Sequence, residues 1–218
     1  MSFVLFAPKE LTPLTSSAII QDILALQEAG QATIAYFYFD FRDTNKRDLR
    51  NALASLLTQL SASSDSYCDI LSHVYEAHNN GAEKPSDDTL MTSFEKMLAL
   101  PDQGPVYIIL DALDECPDSS GRPYARLQVL ALLWDLVGLQ LPNLHICVTS
   151  RPEIDIRTTI ESLVSYQISI HDQNGQKKDI EDYIRSSVYL SSGGLMSRWR
   201  EEDKEWVIDT LSKRADGM

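Results

Sequence analysis

The sequence predicts an α/β fold: a doubly wound, mainly parallel sheet in three α/β/α layers, followed by the start of a helical subdomain. Three observations carry this. The run Val106-Tyr107-Ile108-Ile109-Leu110 is continuously apolar, as a strand buried on both faces of a parallel sheet must be. Leu144 to Thr149 repeats the pattern after an apolar helical stretch. Up to about residue 172, β-branched and aromatic runs alternate with helical periodicities, the alternation that builds βαβ units.

In chain order, Phe3 to Phe6 fits a short first strand, and Ala7 to Pro13, with two prolines, reads as a loop. Thr15 to Ala29 follows as a helix. Ile19, Ile20, Ile23, Leu24 and Leu26 make its apolar face, and Gly30 is a natural stop. Thr33 to Phe41 predicts the second strand. The chain then turns over Arg42 to Asn45, where Asp43 or Thr44 suits the N-cap of a helix carrying Leu49, Leu53, Leu56, Leu57 and Leu60. Ser63 to Asn80 and Ser86 to Leu100 predict two more helices. The second has Asp87 and Asp88 in its first turn, where carboxylates suit the helix dipole. Beyond Asp111, Pro117 to Pro123 reads as a polar loop, Tyr124 to Leu139 as a strongly apolar helix, and Tyr166 to Ile170 as a short strand. After His171 only helical patterns remain, the clear ones at Lys178–Tyr189 and Glu202–Arg214. The boundary is placed near residue 172, giving an α/β core over 1–172 and an incomplete helical subdomain over 173–218. Trp206, Val207, Ile208 and Leu211 make an apolar face on the last helix that needs a cover. This end of the chain is expected to stay unpacked or to pair with another molecule.

Composition narrows the function. A net charge of −13 repels phosphate backbones and anionic lipid, so neither nucleic acid nor a membrane surface is an expected partner. No apolar run approaches the roughly 18 residues of a membrane span, and the first residues lack the basic start of a signal peptide. Three cysteines without CxxC spacing suggest reduced thiols rather than disulfides or a zinc site. The expected location is cytoplasmic.

The chemistry is concentrated where the first apolar run stops. Asp111, Asp114 and Glu115 follow it directly, at the strand end where open α/β sheets bind ligands. In P-loop nucleotidases an acid here holds Mg²⁺, and a second can orient the attacking water. The plainer reading is a core strand ending in a solvated acidic turn.

Four stretches occur in one order: SSAIIQDI at 16–23, AYFYFDFRD at 35–43, LDALDE at 110–115 and TSRPE at 149–153. Together they resemble the NACHT-type nucleotide-binding domain of the STAND class, a P-loop NTPase fold, in the nephrocystin-3-like N-terminal form common in fungal NOD-like proteins. The similarity covers nearly the whole chain from about residue 14. It implies binding of ATP or GTP with Mg²⁺, and a switch whose nucleotide state controls domain arrangement and self-assembly. On that basis Asp111 is the Walker B acid and metal ligand, and Asp114 and Glu115 orient the hydrolytic water. Thr149, Ser150 and Arg151 form the sensor side, with the Arg151 guanidinium reaching toward the γ-phosphate. Taken alone, Arg151 reads equally well as a surface arginine paired with Glu153.

One departure stands against these matches. The phosphate loop GxxxxGK[ST] of the resembling family would fall on Phe6 to Pro13, which puts Thr12 at the lysine position and Pro13 at the Mg²⁺-binding hydroxyl. No glycine lies between Met1 and Ala29. Cradling phosphates needs consecutive N–H groups in a tight loop that glycine permits, and Pro8 and Pro13 each remove a donor. The chain therefore reads as a domain with a degenerate Walker A, or one whose start is truncated or mis-joined. Three functions follow in order of preference. The first is a STAND-type module that no longer hydrolyses nucleotide and acts through other protein domains or copies of itself. The second is a working Mg²⁺-dependent NTPase with a replaced cradle. The third is a phosphohydrolase using Asp111 and Asp114 directly.

Overall fold

Side-chain alternation across three neighbouring strands decides how the sheet is clothed. The computed structural model describes residues 2–6, 12–117, 125–163, 166–169, 184–186, 188–189 and 199–215. Strands β1 (Ser2–Phe6), β2 (Thr33–Tyr38), β3 (Val106–Asp111), β4 (Leu144–Ser150) and β5 (Tyr166–Ser169) form one sheet in the order β2-β3-β4-β1-β5. The pairs β2–β3, β3–β4 and β4–β1 are parallel, with Ile108 registered between Ala35 and Ile146 and Phe6 beside Ser150. Parallel neighbours need crossovers, and here they are helical, as a doubly wound sheet requires.

One face carries Ala35, Phe37, Val106, Ile108, Leu110, Leu144, Ile146 and Val148. These pack with α2 (Leu49–Ser61), α4 (Asp87–Leu98), α5 (Ala125–Gly138) and α6 (Ile154–Ile160) in one buried cluster, to which α3 (Asp65–Ala77), lying beside α2 and α4, adds Tyr67. The other face carries Ile34, Ile109 and Cys147 against Ile20 of α1 (Thr12–Glu28), edged by Tyr36, Tyr38 and Tyr107. Helices thus lie on both sides of the sheet, the three-layer arrangement of the P-loop NTPase kind.

Several elements differ from the sequence expectation. Helix α1 starts at Thr12, so Pro13 lies in its first turn, where a missing N–H breaks no helical bond. The rest of the expected proline loop lies outside the described residues. Helix α2 starts only at Leu49, capped by Asp48, whose side chain accepts from Asn51 N at 2.9 Å. Asp43 and Thr44 are not its cap. Asp40 and Asp43 instead accept from Arg42 N and Asn45 N, both at 2.9 Å, and these Asx turns keep the chain out of helix. Strand β2 ends at Tyr38, short of Phe41. Helix α6 is an addition, too short for an apolar period to announce it. Most of the expected loop Pro117 to Pro123 and of the expected helix Lys178–Tyr189 lies outside the described residues.

The chain divides into two compact units, Met1–Ile168 and Ser169–Met218; the sequence reading set its boundary near 172. Within the second unit lies α7 (Glu201–Ala215). Its Ile208 is buried and Val207 half-buried, while Trp206 and Leu211 are exposed, so the apolar face is covered only in part. Arg185 pairs with Glu205 at 2.6 Å in the same unit. No helix among the described residues is long and apolar enough to cross a membrane.

Candidate functional site

Asp111 is the last residue of β3, and the next residue leaves the strand sharply. Ala112 is left-handed, at φ 55° and ψ 48°, and a 3-10 turn follows at Leu113–Glu115. Leu113 and Cys116 are both fully buried and hold this turn in the core. Ala112 N donates to Thr149 Oγ1 at 3.0 Å, and the Thr149 hydroxyl in turn donates to Asp111 Oδ1. The Ser16 hydroxyl of α1 also bonds to the Asp111 side chain. Asp111 is only 4% exposed. Its burial raises the carboxyl above the usual carboxylate range, against the pull of the Thr149 and Ser16 hydroxyls, and the charge of Asp114 pushes the same way as burial.

Asp114 faces β4 and is engaged by Arg151 twice. Arg151 N donates to Oδ1 at 2.9 Å and Arg151 Nε to Oδ2 at 2.6 Å. Ser150 Oγ is 3.5 Å from the same carboxylate and donates to the Arg151 carbonyl at 2.7 Å. The Asp114 side chain is 5% exposed and that of Arg151 42%. The hydrogen bond to Asp114 raises the Arg151 pKa further, so the guanidinium is fixed in its charged form. The ion-pair partner of Arg151 is therefore Asp114, and Glu153 contributes only at longer range. Glu115 N closes the turn onto the Ala112 carbonyl at 2.8 Å, and its charge adds to the field at Arg151. The fold thus gathers Asp111, Asp114, Thr149, Ser150 and Arg151 at the carboxyl ends of β3 and β4, with Glu115 beside them.

Two residues of this site escape a reading of the sequence. Ser16, fully buried, meets Asp111 from the first helix. Arg126, on the apolar helix α5, is the clamp behind the acidic turn. Its Nε donates to the Cys116 carbonyl at 2.8 Å, Nη2 to the Asp114 carbonyl at 2.7 Å, and Nη1 pairs with Asp155 at 3.1 Å. The signal for it was an arginine among leucines, on a face with no room for a solvated charge.

Residues 13–151, more than half of the chain, match the family model described as Nephrocystin 3, N-terminal. The chain belongs to the nephrocystin-3 N-terminal family. The match ends at Arg151 and so contains the whole cluster from Ser16 to Arg151. Among solved structures, the Aeropyrum pernix ORC1 protein in complex with DNA is similar in fold, with a TM-score of 0.50 at 13% identity. That likeness covers 84% of this chain but only 42% of the ORC1 chain. A search of curated proteins gives no match.

In this nephrocystin-3 N-terminal domain, Asp111→Asn separates charge from shape. A carboxyl whose folded pKa is raised contributes stability that is present below its unfolded pKa and is lost as pH rises through the folded value. Asparagine is neutral throughout. The melting temperature of Asp111→Asn relative to wild type is therefore expected to climb between pH 4 and pH 8, by about 2–4 °C for each kcal/mol involved. A difference that falls over this range would mean that the site stabilises the carboxylate.

Proposed function

We propose that this chain is a NACHT-type STAND module that has lost nucleotide hydrolysis and works in the cytoplasm through contacts with other protein domains or copies of itself. The supporting observation is the Asp114–Arg151 pair. In a working site one of these would orient water and the other would reach a phosphate, and here each occupies the other.

The residues fit a magnesium nucleotide poorly. Mg²⁺ in P-loop nucleotidases is held by a hydroxyl of the loop and the acid at the strand end, and Ser16 with Asp111 has that chemistry. The remainder of a phosphate site does not follow. With Ser16 as the hydroxyl, the motif register moves three residues from the one based on Pro13. Thr15 then stands at the lysine position, and Leu14 and Lys9 at the two glycines. Neither register supplies the glycines or the lysine. Asp111 itself is buried, with both hydroxyl partners already bonded to it.

Titration calorimetry with Mg²⁺ and either ATP or GTP is expected to show binding weaker than about 1 mM, since several charge-assisted bonds of ~1.5–3 kcal/mol each are missing. Micromolar binding would overturn the proposal. It would favour the second reading, an active Mg²⁺-dependent ATP- or GTP-binding switch, which the Ser16–Asp111 contact supports. The DNA bound by ORC1 does not extend to this chain, because a net charge of −13 opposes a phosphate backbone.

A further inference from the structure

Helices α3 and α4 follow one another as a hairpin and do not close completely against each other. Ile70, Val74 and Ala77 of α3 and Thr89, Ser93 and Lys96 of α4 are each spaced i, i+4 and i+7, so each set lies on one face of its helix. Full-sized side chains at these positions would fill the space between the helices. Ala77, Thr89 and Ser93 are small, and a groove of about 330 Å³ is left, lined also by His73 and His78. It has the size of a small-molecule site. Neither helix carries any residue of the cluster around the acidic turn, so the groove is a separate feature of the fold.

Its chemistry runs against that of the chain. Acids outnumber lysine and arginine by 32 to 19 in the sequence, yet the groove is lined by one lysine and two histidines and by no carboxylate. Each ring holds its Nδ1 against the carbonyl four residues back, His73 at 2.7 Å from Asp69 O and His78 at 2.7 Å from Val74 O. A carbonyl can only accept, so the proton of a neutral ring is fixed on Nδ1 and Nε2 is left for a ligand. An entering anion draws a second proton from solvent onto Nε2, and the ring then donates to it. Lys96 supplies a standing charge, and its ammonium has no carboxylate partner among the described residues. The hydroxyls are committed to their own helix: Ser93 Oγ donates to the Thr89 carbonyl at 2.7 Å, and Thr89 Oγ1 lies 2.9 Å from Ser86 Oγ. Recognition of charge therefore falls to Lys96 and the two rings, opposite a wall of Ile70, Val74 and Ala77. With no arginine fork and with an apolar wall, the groove suits a monoanion bearing a hydrocarbon body rather than a phosphate. We propose that the α3–α4 groove binds a small organic carboxylate with an apolar chain, the chain along Ile70 and Val74 and the carboxylate at Lys96 and the histidines.

The probe is octanoate, titrated into the full 218-residue chain and followed by two-dimensional NMR. The methyl signals of Ile70 and Val74 and the imidazole signals of His73 and His78 are expected to move and saturate, with a Kd of about 0.1–1 mM. The ring of His145, stacked on Tyr107 at 4.7 Å in the sheet, is expected to stay where it is. Octanol, the same chain without charge, and inorganic phosphate, charge without a chain, are each expected to bind about tenfold more weakly or less. Lys96→Met keeps the stem, removes the charge and is expected to weaken octanoate about tenfold. Ala77→Trp fills the groove and is expected to abolish binding. Both positions are exposed, so the core is untouched, and circular dichroism with a melting curve checks that each variant is folded. Should Ala77→Trp fail to fold, Lys96→Met and the wild-type map decide. Octanol binding as tightly as octanoate, shifts that bypass His73 and His78, or wild-type affinity in folded Ala77→Trp or Lys96→Met would each overturn the proposal. A short peptide ending in leucine with a free carboxylate is the last arm, and tighter binding of it than of octanoate overturns the small acid in favour of a chain terminus.

Discussion

Arg126→Ala is expected to destabilise the chain by about 3–5 kcal/mol, from two charge-assisted bonds of ~1.5–3 kcal/mol each together with lost packing of a buried stem. The two bonds run to the Cys116 and Asp114 carbonyls, which the acidic turn cannot satisfy internally. The ion pair with Asp155 adds little, because that carboxylate is 41% exposed and is hydrated once the guanidinium is gone. At this chain length the loss corresponds to a fall of roughly 10 °C in melting temperature. Arg126→Lys recovers only part, since an ammonium has no planar fork to reach two carbonyls and a carboxylate at once. Thermal or urea unfolding reads the effect directly. A loss under about 1 kcal/mol would mean that water replaces the guanidinium at both carbonyls.

Rebuilding the phosphate loop is expected to have an effect of similar size in binding rather than stability. The register set by Ser16 asks for Lys9→Gly, Pro13→Ser, Leu14→Gly and Thr15→Lys, with Ser16 kept in place. Glycines admit the backbone conformations of a cradle, the removed proline returns an N–H, and the lysine supplies a charge for the phosphates. Affinity for Mg²⁺ with ATP or GTP is expected to gain two decades or more, at about 1.4 kcal/mol per decade. Fluorescence or calorimetric titration measures it. A folded variant that still binds only at millimolar concentration would move the obstacle to the Asp114–Arg151 pair.

The sheet was legible because burial on both faces leaves an unmistakable trace. Val106 to Leu110 and Leu144 to Val148 are apolar runs too short for a core helix, and both stand side by side in the structure. The acids and Arg151 were legible as motif, yet their mutual bonding was not. A one-dimensional reading offered Arg151 either a phosphate or its neighbour Glu153, while the left-handed Ala112 turns Asp114 to it across two strands. Arg126 was hidden for a related reason, since two of its three partners are backbone carbonyls and carbonyls have no residue identity. Ser16 was missed because, without glycines, the phosphate-loop register had no landmark. The start of α2 was misplaced because several acids compete for the cap, and only geometry shows that Asp40 and Asp43 close turns while Asp48 caps.

The two faces of the sheet carry very unequal loads. Five helices, α2 to α6, and most of the core lie on one side, while α1 is the one helix that packs on the other among the described residues. Native proteins open locally, and they open first where the fewest apolar contacts must be broken. The halves of the site therefore belong to different kinetic regimes. Asp114 hangs from the heavy side through Arg126, α5 and α6, and its place in the turn is held as long as that core is folded. Asp111 is roofed by Ser16 on the light side, so an excursion of α1 alone admits water to its carboxylate. The concealment of Asp111 is in that sense a time average, set by how often one helix lifts rather than by the stability of the whole domain.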